Sequence, residues 1–274
     1  LNFKQLFPTF RNRYRFVQRR LAQHLPKPAE RGLNLGTGEG DYDAMIAAHC
    51  GSLVACDVNE ADLAHARSLN RMVPNLRYEP NNALALSYPD GHFDLLVSCE
   101  VLEHVGQPAQ MIREMARVLR PGGIAIMTFP SREFPFSYDP INRLAQWLRP
   151  GLAHTRQQWI QQGAYAFGHD YLIDSQAFKQ WAKDAGFEVL EFRGLSHHLV
   201  GLLEMYWTGL AQRIFKKNTG NADADSAGML KVRPASTQMP ALVIVTDSIL
   251  ALDRWLFGWS ERSVGKGVVM RRSG

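Results

Sequence analysis

Residues 33–40 read Leu-Asn-Leu-Gly-Thr-Gly-Glu-Gly, and an aspartate, Asp57, follows twenty-one positions after the first glycine. A short apolar strand that breaks into alternate glycines can turn sharply and let a ligand touch the main chain without Cβ interference. The carboxylate that ends the next apolar run, Leu53 to Asp57, then faces the same crevice and can accept both hydroxyl hydrogens of a ribose. The pairing predicts a nucleoside site at the carboxyl ends of two parallel strands. A dinucleotide loop needs its third glycine five positions after the first, and that position is Asp41. The loop is therefore G-x-G-x-G, which sets a nicotinamide oxidoreductase aside.

The remaining pattern extends this start into an α/β sheet. Strand-like runs at 33–35, 53–56, 76–79, 93–98 and 124–129 alternate with helix-like runs at 42–49, 60–72 and 108–119. Asn59 suits an N-cap and Pro108 a first helical turn. The run Phe93 to Ser98 is almost continuously apolar, as a central parallel strand covered on both faces should be. Arg120-Pro121-Gly122-Gly123 reads as a helix stop. A helix over 175–185 and strands at 188–192 and 267–271 complete the pattern.

Two stretches depart from the rhythm. Residues 131–171, rich in aromatics and prolines, read as a lid or substrate segment. Residues 195–262 interrupt what would be a tight hairpin, with apolar helical segments at about 199–215 and 241–257 around a polar stretch at 216–228. The expected organisation is an N-terminal basic amphipathic helix within 1–30, a core over 31–194 and 263–274, and a helical insertion at 195–262.

The 274 residues suffice for one enlarged domain, and Lys+Arg 31 against Asp+Glu 26 gives a mild charge of +5. Arg11, Arg13, Arg15, Arg19 and Arg20 crowd the first segment, with Phe10, Tyr14, Val17 and Leu21 at helical spacing between them. Such a helix packs its apolar stripe on the domain, or lies on a membrane surface. Three cysteines in apolar surroundings argue against a disulfide framework. With no run of eighteen uncharged apolar residues and no short leader-like apolar core, the expectation is a cytoplasmic protein, at most touching the inner face of the membrane.

By these residues the chain resembles a class I S-adenosylmethionine-dependent methyltransferase. The resemblance covers residues 33–192 and the last strand. Beyond the glycine loop and Asp57, it is carried by Tyr88-Pro89-Asp90-Gly91-His92-Phe93-Asp94, by Glu100-Val101-Leu102-Glu103-His104-Val105, and by Val118-Leu119-Arg120-Pro121-Gly122-Gly123. That succession is similar to the ubiquinone and menaquinone biosynthesis methyltransferases. The resemblance implies a Rossmann-like, seven-stranded, mostly parallel sheet with helices on both faces and an antiparallel last strand. It also implies S-adenosyl-L-methionine as cofactor: Gly36, Gly38 and Gly40 around its methionine and ribose, Asp57 on the ribose hydroxyls, Val58 against adenine, Asn82 and Ala83 at the adenine edge, and Glu100 beneath the sulfonium. Asn34 and Asn82 stand where the family usually has acidic residues. Each keeps an amide oxygen that can accept a hydrogen bond, Asn34 near the methionine amino group and Asn82 at the adenine amino group.

For catalysis the candidates are Glu103, His104 and His169. Glu100, Glu103 and His104 stand at i, i+3 and i+4, on one side of a helical turn. The E-x-x-E-H arrangement resembles the metal site of small-RNA 2′-O-methyltransferases, so Glu100, Glu103, His104 and His169 are also candidate ligands of a divalent metal. The preferred reading is metal-free, with glutamate on the cofactor and histidine orienting substrate or acting as base. The expected reaction is O-methylation of a small hydrophobic or lipid-linked acceptor, with peripheral membrane contact or a homodimer as roles for the surplus apolar surface of the insertion. An RNA 2′-O-methyltransferase is the rival enzyme, disfavoured because no dense basic stripe lies outside the first twenty residues. A catalytically silent cofactor-binding subunit is the rival from another class.

Overall fold

The computed structural model describes residues 1–133, 172–204 and 236–274. Helix α1 (Pro8–His24) leads into β1 (Ala29–Leu35), α2 (Asp43–Ala47), β2 (Cys50–Asp57), α3 (Glu60–Leu69), β3 (Leu76–Pro80) and β4 (Phe93–Cys99). Then come α4 (Pro108–Val118), β5 (Leu119–Pro130), α5 (Ser175–Asp184), β6 (Phe187–Leu195), α6 (Val243–Phe257) and β7 (Gly265–Arg272). The strands form one seven-stranded sheet in the order β3-β2-β1-β4-β5-β7-β6. The first five pair in parallel, and β7 runs antiparallel to both β5 and β6. Chain order reverses direction between β1 and β4, so a crevice opens beyond their carboxyl ends.

Local chemistry accounts for the elements. Asn59 caps α3 by accepting from the backbone N–H of Ala61 and Asp62 at 3.0 and 3.3 Å. Asp174 caps α5 in the same way, through Gln176 and Ala177. On one face of the sheet Leu33, Leu35 and Leu96 pack with Met111, Ile112 and Met115 of α4 and Phe178 of α5. On the other, Leu53, Leu95, Val97 and Ile126 meet Phe16, Val17 and Leu21 of α1 and Ile46 of α2. Helix α1 therefore spends its apolar stripe on the sheet. Its approach is close: a Cβ on Gly267 would lie 2.8 Å from the Phe16 ring.

The boundaries differ from the sequence reading in two places. Strand β5 begins at Leu119 rather than near residue 124, because Leu119 pairs with Phe93 across a register shift, and the Pro-Gly-Gly run is carried inside the strand. Strand β6 extends to Leu195, since β7 starts at Gly265 and pairs with it to the end. Residues 134–171 of the expected lid, with His169, and most of the first helical arm lie outside the described residues, although 198–204 are helical. No helix among the described residues is long and apolar enough to cross a membrane.

Candidate active site

The glycine loop leaves β1 with positive φ at Gly36 (75°) and Gly38 (54°). The two glycines serve different ends. A Cβ on Gly36 would lie 2.2 Å from a methyl of Val101, so that turn is pressed against the β4 exit; around Gly38 nothing lies within 4 Å. Gly38 thus opens on the crevice. Its N–H donates to Asp57 Oδ2 at 2.8 Å, while Asp57 Oδ1 accepts from the Asn59 N–H at 3.0 Å. Those bonds fix the carboxylate at the rim and leave it lone pairs for two hydroxyl donors.

The next rim is built by neighbouring loops. The Asn81 N–H donates to the Asp57 carbonyl at 3.0 Å, which sets residues 81–83 beside Val58. Val58 is 71% exposed, an apolar platform at the crevice edge, and Ala83 is buried. Asn82 is exposed, and its Oδ1 accepts from the Leu84 N–H at 2.9 Å. The structure thus brings Gly36, Gly38, Asp57, Val58, Asn82 and Ala83 to the same end of the sheet, whereas Gly40 is buried against α3, where a Cβ would lie 2.8 Å from that of Ala66 and its carbonyl accepts from Asn70 Nδ2 at 2.9 Å. An open glycine turn, a fixed carboxylate and an apolar platform suit a nucleoside bearing a charged tail.

Asn34 lies elsewhere. It is buried beneath the loop, where its amide donates to Asp43 Oδ1 at 2.6 Å and to Thr37 Oγ1 at 3.3 Å. Thr37 and the Tyr78 hydroxyl also donate to Asp43, at 2.7 and 2.8 Å. Burial pushes the Asp43 carboxyl up to about 6 against those hydrogen bonds. The acid missing at position 34 is thus supplied nine residues later, as a carboxylate held under the glycine turn. A second anchor lies above it: Lys4 Nζ stands 2.6 Å from Glu39 Oε2 and 2.6 Å from Asp41 Oδ2, tying the N-terminal segment to the loop.

Beyond β4 the backbone of Glu100 adopts φ 56°, a left-handed conformation that costs a non-glycine residue about 1–2 kcal/mol. Its N–H donates to the Thr128 carbonyl at 2.9 Å, and its carboxylate accepts from Thr128 Oγ1 at 3.0 Å and from Arg13 Nη1 at 2.9 Å. Burial opposes the charge on Arg13, yet Glu100, Tyr42, Glu204 and Glu103 outweigh it and raise the guanidinium pKa. Glu204 takes the Thr9 N–H and hydroxyl, and burial raises its own carboxyl. Glu103 is fully buried, and burial followed by Glu100 pushes its pKa well above the carboxylate range. His104 is 43% exposed, with Nε2 4.0 Å from Glu103 Oε1.

Glu100, Glu103 and His104 therefore share one turn. A divalent metal does not fit it well, because both Glu100 oxygens are engaged and one of them faces a guanidinium. Among the described residues no group of three His, Cys, Asp or Glu side chains could hold a metal ion. Sequence reasoning missed Lys4, Arg13 and Asp43. Arg13 had a signal: it stands three and four residues before Phe16 and Val17, on the buried side of α1.

Comparison with known proteins agrees with this geometry. The family described as "Methyltransferase domain" matches residues 33–127. The ubiquinone/menaquinone biosynthesis C-methyltransferase UbiE of Shewanella sediminis is 28% identical over 194 residues, covering 66% of this chain and 75% of that protein. A putative sarcosine dimethylglycine methyltransferase from Galdieria sulphuraria shares the fold, with a TM-score of 0.58 and 15% identity over 94% of this chain and 85% of that one. So does phosphoethanolamine N-methyltransferase 2 of Haemonchus contortus, solved with S-adenosyl-L-methionine, with a TM-score of 0.57 and 14% identity over 94% of this chain and 52% of that one. The chain is an enzyme of the class I S-adenosylmethionine-dependent methyltransferases.

Proposed function

We propose that this enzyme methylates the hydroxyl oxygen of a small hydrophobic or lipid-linked acceptor. The observation that carries the reading is the Glu103–His104 pair beside Glu100, a carboxylate of raised pKa next to a half-exposed imidazole at the end of β4. S-adenosyl-L-methionine, held by the glycine loop, Asp57 and Val58, supplies a methyl group on an already activated sulfur. The protein's remaining tasks are to align the acceptor and to take its proton. His104 accepts that proton on the ring nitrogen that does not face Glu103, and the buried Glu103 carboxyl lies 4.0 Å from the other nitrogen. Arg13 and Thr128 hold Glu100, so the turn that carries both residues keeps its place. Helix α1 and the Lys4 anchor cover the loop and limit water.

Several observations bear on the rivals. Four of the five arginines of α1 that would make a basic stripe for RNA are paired with acids, Arg11 and Arg15 with Asp247, Arg13 with Glu100 and Arg20 with Glu191, which leaves Arg19 alone of the five outside an ion pair among the described residues. Similarity to a C-methyltransferase favours a second reading, transfer to a ring carbon of a quinone-like acceptor. The test is incubation with S-adenosyl-L-methionine and a panel of apolar phenols and quinols, followed by S-adenosylhomocysteine release and product mass. An O-methyl ether supports the proposal, and a C-methylated ring would replace it with the second reading. No turnover with any member of the panel would contradict the proposed acceptor class.

A further inference from the structure

Helix α6 turns its polar side inward. Its buried positions are Thr246, Leu250 and Asp253. Thr246 Oγ1 donates to the Leu6 carbonyl at 3.2 Å, and Asp253 accepts from the backbone N–H of His197, Leu199 and Val200 at 2.7, 2.9 and 3.2 Å. At about 100° per residue, Ile244, Val245, Leu252, Trp255 and Leu256 fall on the opposite arc, and Trp259 follows just past the helix. All six are exposed, Trp255 at 78% and Trp259 at 79%. Trp259 Nε1 donates to the Leu256 carbonyl at 2.9 Å, so its indole needs no outside acceptor.

Beside that arc lies a cleft of about 390 Å³ between α1, the end of β6 and α6, lined by Arg15, Arg19, Arg20, Arg193 and Arg254. Arg15 is paired with Asp247, and Arg20 and Arg193 share Glu191. Arg19 and Arg254 form no ion pair among the described residues. Partial burial, and then the charges of Arg15, Arg254 and Arg20, hold the Arg19 pKa below its ordinary value. The cleft thus carries surplus positive charge next to an exposed aromatic and aliphatic surface.

We propose that α6 and this cleft form a docking surface for an anionic phospholipid bilayer. Trp255, Trp259, Leu252 and Leu256 enter the interfacial layer while Arg19 and Arg254 meet lipid phosphates. Charge selects this occupant. A two-fold dimer through the same face would set two arginine clefts close together, whereas an anionic leaflet neutralises each one. The inference rests on the acceptor reading above for its purpose, access to a substrate dissolved in the bilayer, but not for the binding itself.

The test is flotation of the whole chain with vesicles of phosphatidylcholine alone and of phosphatidylcholine mixed with phosphatidylglycerol, together with tryptophan emission. S-adenosylhomocysteine affinity is measured on the same samples, so that loss of the cofactor site is told apart from loss of docking. The wild type should float only with the anionic vesicles and shift its emission to the blue. R19A/R254A should partition about thirtyfold less, at roughly fivefold per arginine near a charged surface. W255S/W259S should lose both flotation and blue shift, with far-ultraviolet dichroism unchanged in both variants. Equal binding to both vesicle types would overturn the role of the cleft. No binding to either overturns the proposal, and a dimer abolished by W255S/W259S would then make a second copy the occupant.

Discussion

Arg13 Nη1 lies 2.9 Å from Glu100 Oε2, so the N-terminal helix contacts the residue that follows β4, eighty-seven positions along the chain. The contact joins an element outside the β1–α2–β2 unit to the turn that carries Glu103 and His104. Because Glu100 is held in a left-handed conformation, removal of that support should be felt in the shape of the site as well as in stability.

Replacing Arg13 by Met keeps the aliphatic stem and removes the charge. The variant should lose about 1.5–3 kcal/mol of stability, the value of a hydrogen bond to a charged group. Urea unfolding measures this, and Arg13→Lys should recover part of the loss. A wild-type midpoint in Arg13→Met would show that the pair contributes nothing.

Asp43 gives the fold a defined pH response. Its folded pKa of about 6 stands above the ordinary 3.8, so its contribution to stability is fully present below pH 3.8 and is lost as pH rises through about 6. Near neutral pH the charged form costs about 3 kcal/mol relative to acid. Asp43→Asn keeps an acceptor oxygen without the charge. Relative to that variant, the wild type should become less stable between about pH 4 and pH 7 in denaturant titrations. A difference that moves the other way would place the carboxyl in a different environment.

His104→Ala should lower turnover by about 10²–10⁴-fold, the usual contribution of a general base. Since the imidazole is half-exposed, the melting temperature and S-adenosylhomocysteine affinity should hold. Chelators should leave wild-type turnover unchanged. Full activity in the variant would remove His104 from the chemistry.

The parts of the fold legible in the sequence were those with a local signature. Alternating apolar runs located the seven strands, Asn59 marked its helix, and the glycine loop with Asp57 located the crevice, because each signal depends on residues near in sequence. What stayed hidden depends on contacts across the chain. The first segment read as a basic amphipathic helix with its arginines beside the apolar stripe, yet Arg13 is drawn inward by Glu100 and Glu204. Asn34 looked like a loss of acid until Asp43 was found beneath it. The apolar pattern of α6 would look the same facing a core or facing outward. Only the anchoring of Asp253 and Thr246 to the body decides the direction.

The most direct measurement is calorimetry of S-adenosylhomocysteine binding to the wild type and to Asp57→Ala. If the glycine loop and Asp57 hold the nucleoside, the wild type binds and the variant loses about 1.5–3 kcal/mol, tenfold to more than a hundredfold in affinity. Unchanged affinity in Asp57→Ala, or tighter binding of NAD than of S-adenosylhomocysteine to the wild type, would contradict the assignment of this crevice.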